Sequence, residues 1–244
     1  QSLDNIVAMV ALYRPGPMDF IPDYISRMHG EAEVEYRHPA LEPIFGDTYG
    51  IPLYQEQLMR AAIELAGFTP SESDELRAAI SKKKTKEIEN HRHKFVEGAV
   101  LQGMERSTAE AIYHDWNEFA RYGFNKSHAA DYGLLAVQTG FLKLHYPVEY
   151  MTALLSVTKH ETEKMALYIN DARNMGVTVL PPDVNASLWD FAIEESDPGA
   201  DQPDPGVLPG GQAGKSAIRF GLGAIKNVGE GAVELPAQAR LKDG

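Results

Sequence analysis

The stretch Arg121-Tyr122-Gly123-Phe124-Asn125-Lys126-Ser127-His128 concentrates the most chemistry into the fewest residues of this chain. Gly123 suits the end of one helix and Asn125 the N-cap of another, which places Lys126, Ser127 and His128 in the first turn of the second. Backbone N–H groups without intrahelical partners, the positive end of a helix dipole, an ammonium and a hydroxyl then converge, a way of holding phosphate. The same ingredients also make a plain helix corner with a capping Asn and a solvated Lys. A second candidate is Lys82-Lys83-Lys84-Thr85-Lys86, directly after a helical pattern that carries Arg77. Each lysine at a helix C-terminus gains roughly 0.3–1 kcal/mol from the dipole, yet four in five residues exceed what capping requires. The run reads either as a phosphate or nucleic-acid contact or as a solvated face. Tyr13-Arg14-Pro15-Gly16-Pro17 and Thr48-Tyr49-Gly50-Ile51-Pro52-Leu53-Tyr54-Gln55-Glu56-Gln57 form a third pair, with rigid turns and a helix opening at Tyr54. Their period predicts packing, although a rigid loop is also able to aim Arg14 at a phosphate.

Other patterns fail for stated reasons. Gly214-Lys215-Ser216 resembles the end of a P-loop, but Pro209 stands where the earlier Gly is needed and no strand-loop-helix surrounds it. Gly221 and Gly223 would need a third Gly where Lys226 stands. His91 and His93, two apart on a helical pattern, do not share a face, so they do not make a metal site. No set of Asp residues has the setting of a two-metal reaction centre. With no cysteine in 244 residues, disulfide scaffolds, thiolate metal sites and thiol nucleophiles are excluded. The candidates are therefore binding residues, with no catalytic and no metal-ligating residue among them.

Mostly helices must position these groups. Thr69-Pro70-Ser71-Glu72 combines an N-cap, a Pro at the first helical position and a Glu placed for a capping box, and Ser107-Thr108-Ala109-Glu110 repeats the device. Gly67, Gly103, Gly123 and Gly176 follow amphipathic runs as left-handed stops would. The period predicts helices near 52–66, 70–80, 86–102, 108–122, 126–145, 148–158 and 162–175, with shorter helical turns before 46. Short strands are expected at Val177–Leu180, Trp189–Ile193 and Ala217–Leu222, and a Pro/Gly-rich surface loop between the last two. The fold class is mainly α with a few short C-terminal strands.

The formal charge of −12 argues, taken whole, against nucleic acid. It is unevenly spread: residues 1–75 carry 4 basic and 13 acidic groups, residues 76–193 are balanced at 14 each, and Arg77 to Lys94 holds seven cations against two anions. The longest uncharged apolar run, Tyr132 to Leu142, falls well short of the roughly 20 residues of a spanning helix, so no membrane contact and a cytoplasmic setting are expected. Gln1 begins on a helical pattern and the end falls soon after a new one starts, as in a piece of a longer chain.

In order, ALYRPGPM (11–18), TYGIPLYQEQLM (48–59), LAGFTPSESDELRAAISKKK (65–84), YGFNKSHAADY (122–132), QTGFLKLHYPVEYM (138–151), LPPDVNAS (180–187) and IRFGLGAIKNVG (218–229) resemble the C-family of bacterial replicative polymerases, the alpha subunits of DNA polymerase III. The resemblance runs from about Ala11 to Gly231. It implies a helical fingers domain over 1–193, a surface loop over 194–217, and over 218–244 the end strand of the fingers and the start of a helix-hairpin-helix module.

It further implies DNA-directed DNA synthesis in chromosomal replication. The metal-binding carboxylates, and with them Mg2+, would lie outside this segment, so the fragment would be inactive alone. Implied partners are primer-template DNA, deoxynucleoside triphosphate, the rest of the alpha chain, and the sliding clamp and other replisome subunits. By the same resemblance Lys126 is a triphosphate ligand, with Asn125 and Ser127 capping and lining the site and His128 against the sugar. Arg77 is a further nucleotide-binding residue, and Lys82, Lys83, Lys84 and Lys86 contact DNA. The sequence departs from the family pattern LRRAMGKKK at Ala78, Ile80 and Ser81, which removes one expected cation. Two other classes remain open on the residues alone: a non-catalytic helical DNA-binding or replisome module, and a plain helical interaction protein.

Overall fold

In the computed structural model the described residues are 2–82, 84–119, 122–195 and 216–234. Expectations resting on Lys83, Arg121, most of the 194–217 loop and the last ten residues lie outside them. The described chain packs as two compact units, 1–137 and 138–244, where the sequence suggested one domain over 1–193. The boundary falls within a single 20-residue helix whose middle, from Leu134 to Leu142, is exposed.

The first unit comprises α1 (Leu3–Leu12), α2 (Ile21–Met28), α3 (Glu42–Phe45), α4 (Gln55–Ala66), α5 (Pro70–Ser81), α6 (Thr85–Leu101), α7 (Arg106–Phe119) and the start of α8 (Lys126–His145). Punctuation explains most ends. Thr69 Oγ1 accepts the Glu72 N–H at 3.3 Å while the Glu72 carboxylate accepts the Thr69 N–H at 2.9 Å, the reciprocal box that starts α5. Gly67, Gly103 and Gly176 take positive φ, as left-handed stops do. Gly123 does not. Its neighbour Phe124 pairs in parallel with Tyr54, and this pairing also delays α4 from the expected 52 to Gln55, because Leu53 O and the Gln55 N–H bond the Phe124 backbone. The second expected capping box is displaced too: α7 starts at Arg106, so Ser107 lies inside its first turn and donates to Glu105 at 2.7 Å.

Two apolar clusters hold this unit. One joins α3 to α7 around Phe95, which is fully buried and packs edge-on to Trp116 at 4.8 Å between centroids. Gly98 lets α6 cross α4 closely, since a Cβ there would collide with the Ala66 carbonyl oxygen. The other cluster joins α1 and α2 to the 51–54 segment and to Ala129 of α8 through Leu12, Tyr24, Tyr54 and Val7. Removing a fully buried aromatic such as Phe95 costs about 3–5 kcal/mol.

The second unit packs α9 (Pro147–Val157) and α10 (Thr162–Asn174) on a three-stranded sheet of order β1-β3-β2. The strands β1 (Val179–Leu180) and β3 (Ser216–Arg219) are parallel, and β2 (Ala192–Glu195) is antiparallel to β3. Met151, Leu155, Ala172, Val177 and Ile218 form its core. Arg219 clamps Glu194 across the β2–β3 pair with bonds of 2.6 and 2.7 Å. The strand expected at Trp189–Ile193 starts three residues later, at Ala192, because the carbonyls of Leu188 and Trp189 are taken by Leu222 and Gly223. After a 3-10 turn at Leu222–Ala224 and a left-handed Asn227 (φ 68°), residues 230–234 are helical. Among the described residues no helix is long and apolar enough to cross a membrane.

Candidate functional site

Three segments far apart in sequence meet at the start of α8. Gln57 sets the frame from inside: its side-chain oxygen accepts the Leu53 and Tyr54 N–H groups at 3.1 and 2.9 Å, and its amide donates to Ile44 O and to Thr48 Oγ1. Gln55 reaches outward, donating to Gly123 O at 2.9 Å. Glu56 accepts the Lys126 N–H with both carboxylate oxygens, each at 3.0 Å. These three side chains thus leave one short piece of backbone in three directions.

From the other side comes Arg14. Its Nε donates to Ala11 O at 2.7 Å and its Nη2 to the Tyr122 carbonyl. Its guanidinium lies over the Phe124 ring, 4.5 Å from the centroid. Burial lowers the Arg14 pKa from its ordinary value. Aromatic contacts continue along α8, Phe124 to His128 at 5.6 Å and His128 to Tyr132 at 4.7 Å. An arginine, a phenylalanine, a histidine and a tyrosine thus contact one another in turn, the last pair edge-on.

Asn125 is the N-cap that its position predicts: Oδ1 accepts the His128 N–H at 2.9 Å. The backbone half of the phosphate expectation differs from what is found, because the Lys126 amide already meets the Glu56 carboxylate. The helix dipole favours an anion here, and the protein supplies one from its own α4. What remains is the Lys126 side chain, partly exposed, with Nζ 5.4 Å from the Tyr54 ring centroid and 4.0 Å from Asp47. Burial, reinforced by Tyr24 and the nearby carboxylates, raises the Tyr54 pKa well above its ordinary value, so this ring faces Lys126 as a neutral π surface. Ser127 and His128 are exposed on the first turn.

Arg77 does not join this corner directly. It pairs with Asp74 at 2.7 Å and lines a small depression together with Gln55, Met59 and Ser73. Lys82, Lys84 and Lys86 stand exposed where α5 ends and α6 begins; Lys84 pairs with Glu87 at 2.8 Å. Sequence reasoning passed over Glu56 and Asp47, and it gave Arg14 only a passing role. The run of Gln, Glu and Gln after Tyr54 was the available signal, being more polar than one helix start needs. Among the described residues no three His, Cys, Asp or Glu side chains gather as a metal site. Asp47 and Glu56, the carboxylates beside Lys126, are turned to its ammonium and to its amide, and they do not fit a metal.

The chain is of the bacterial replicative polymerase type: residues 1–103 match the bacterial DNA polymerase III alpha subunit finger domain, and residues 176–244 match a helix-hairpin-helix motif. The chain is 45% identical to the DNA polymerase III subunit alpha of Thermus aquaticus, 44% to that of a Neisseria meningitidis serogroup A strain and 43% to that of Deinococcus radiodurans, each over 99% of its length. The chain belongs to the DNA polymerase III alpha-subunit family. It spans only 19%, 19% and 17% of the length of those three relatives. The hairpin match begins at 176, earlier than the 218 expected from sequence, so it takes in the small sheet as well.

Proposed function

We propose that this segment binds the incoming deoxynucleoside triphosphate and the primer-template within a DNA-directed DNA polymerase of chromosomal replication. The observation that carries the reading is the partly exposed Lys126 ammonium at the helix start where Arg14, Phe124, His128 and Tyr132 contact one another in turn, built from the segments that resemble the family. The ammonium meets a phosphate, and the ring of His128, held between Phe124 and Tyr132, supplies bulk against the sugar. Asn125 and Ser127 shape the same turn, and Arg77 adds positive charge near Gln55. Lys82, Lys83, Lys84 and Lys86 contact the DNA backbone, and the hairpin region grips duplex through backbone N–H groups at a helix start.

The reaction served is in-line attack of a primer 3′-hydroxyl on the alpha-phosphate, with Mg2+ held by carboxylates outside this segment. On this reading the segment is inactive alone, works in the cytoplasm, and partners the rest of the alpha chain and, through it, the sliding clamp and other replisome subunits. In the full-length polymerase, Lys126→Ala is expected to raise the nucleotide KM or lower kcat by roughly 1.5–3 kcal/mol, the loss of a charge-assisted bond. Unchanged incorporation kinetics would remove Lys126 from the site. His128→Ala is expected to increase ribonucleotide insertion, and an unaltered deoxy-to-ribo ratio would remove the histidine from the sugar contact.

A further inference from the structure

We infer that Glu56 is a positioning residue of this nucleotide site, acting through the start of α8 on the place of Lys126; the inference rests on the nucleotide reading above. The N-terminal ends of α4 and α8 lie side by side, since Gln55 N bonds Phe124 O and Tyr54 pairs with Phe124. Two positive helix ends brought together repel unless an anion stands near both. Glu56 is that anion. It lies in the first turn of α4 and accepts the first amide of α8 with both oxygens at 3.0 Å.

The bond fixes a direction as well as a charge. Asn125 caps the His128 N–H and Gln55 holds Gly123 O, so the Lys126 amide is the point where the new helix is tied to α4 by a charged group. The Lys126 ammonium departs elsewhere, over the Tyr54 ring and toward Asp47. Glu56 therefore holds the lysine by its backbone and leaves its ammonium against the exposed Asp47 carboxylate, which an anionic ligand would displace. A shift of about 1 Å in such a group is enough to cost up to a hundredfold in rate.

The test uses the full-length polymerase with deoxynucleoside triphosphate and primer-template. Glu56→Ala should raise the nucleotide KM about tenfold, a fraction of the largest positioning effects, and leave primer-template affinity within about twofold. Glu56→Gln keeps one acceptor for the Lys126 amide but no charge, and should recover only part of the loss. Glu56→Asp keeps the charge but shortens the arm, and should behave more like Ala. In a Lys126→Ala background the Glu56→Ala effect should largely vanish, because groups acting through one another are non-additive. A purely structural role would lower Tm and persist in that background.

Three results would overturn the inference: an unchanged KM in Glu56→Ala, an undiminished effect without the lysine, or a lower KM in Glu56→Gln, which would mark Glu56 as an anion competing with phosphate. If Lys126→Ala itself has no effect, the nucleotide reading fails. If Lys126→Ala matters and Glu56→Ala does not, only the role of Glu56 fails. Should Glu56→Ala not fold, the Gln and Asp variants decide by the same comparison.

Discussion

The corner at Lys126 and the lysine run at 82–86 are both cationic places in one unit, yet they are built in opposite ways. The corner carries few charges, and nearly every polar atom around them is committed: Gln55, Glu56 and Gln57 each hold a different piece of backbone, and Arg14 spends its donors on two carbonyls. In the run the described lysines 82, 84 and 86 are exposed, and among them Lys84 pairs with Glu87. Charge held in one geometry selects a ligand, whereas charge on free arms follows any phosphate backbone. The sharpest way to break this contrast is to compare Lys126→Ala with Lys84→Ala in the full-length polymerase. The first should cost roughly 1.5–3 kcal/mol in nucleotide kcat/KM, the second almost nothing there. Equal effects would erase the distinction between the two regions.

A smaller effect tests whether the corner is held as rigidly as its bonds imply. Gly16 has φ of 99°, and a Cβ on it would meet the Tyr122 ring at 2.5 Å, beside the carbonyl that Arg14 holds. Gly103 has φ of 92° with open space around it. Alanine at either should cost about 1–2 kcal/mol of stability through backbone strain. Only Gly16→Ala should also weaken nucleotide use, by pushing Tyr122 and the Phe124 that follows it. Thermal melts paired with nucleotide titrations separate the two, and identical kinetic behaviour of the variants would show that the 13–17 loop does not brace the site.

Much of this was legible in the chain, and the failures share a cause. Helix ends marked by local chemistry, such as Thr69 with Glu72 or Gly67, could be read because the partners lie within one turn. The Asn125 cap was legible for the same reason. Glu56 was not, because the amide it satisfies is 70 residues away and nothing in a periodic pattern shows that two helix starts meet. The bond from Gln55 to the Gly123 carbonyl was hidden in the same manner, its partners lying 68 residues apart. The strand expected at Trp189 shifted because residues near 222 claimed its carbonyls. Local bonds are written in the sequence, while bonds across the fold enter only when packing brings their partners together.

Weaker still should be the response of the lysine run. Neutralising Lys82, Lys83 and Lys84 is expected to lower the slope of log affinity for primer-template against log salt by about 1, roughly one phosphate contact, with nucleotide KM unchanged. The change is kept small because Lys84 is already paired with Glu87 and exposed ammonium groups share contacts with solvent ions. A change in nucleotide KM with no change in salt slope would reverse the roles assigned to the two regions.

The smallest effect lies at the other end of the helix that leads into the lysines. Glu72, in the box that starts α5, bonds Lys94 and the Thr69 amide, and these partners, Lys94 foremost, hold its pKa at about 2 against an ordinary 4.5. A carboxyl whose folded pKa is depressed stabilises above its unfolded pKa and loses that contribution as pH falls toward the folded one. The difference in Tm between the protein and Glu72→Gln should therefore be greatest above about pH 5 and shrink as pH falls from 4.5 toward 2. The side chain is exposed, so solvent keeps the difference slight. A pH-independent difference would mean that the box holds α5 by its hydrogen bonds alone. In that case the Lys94 contact, like the lysine run at the far end of the same helix, would be charge that the fold carries without using.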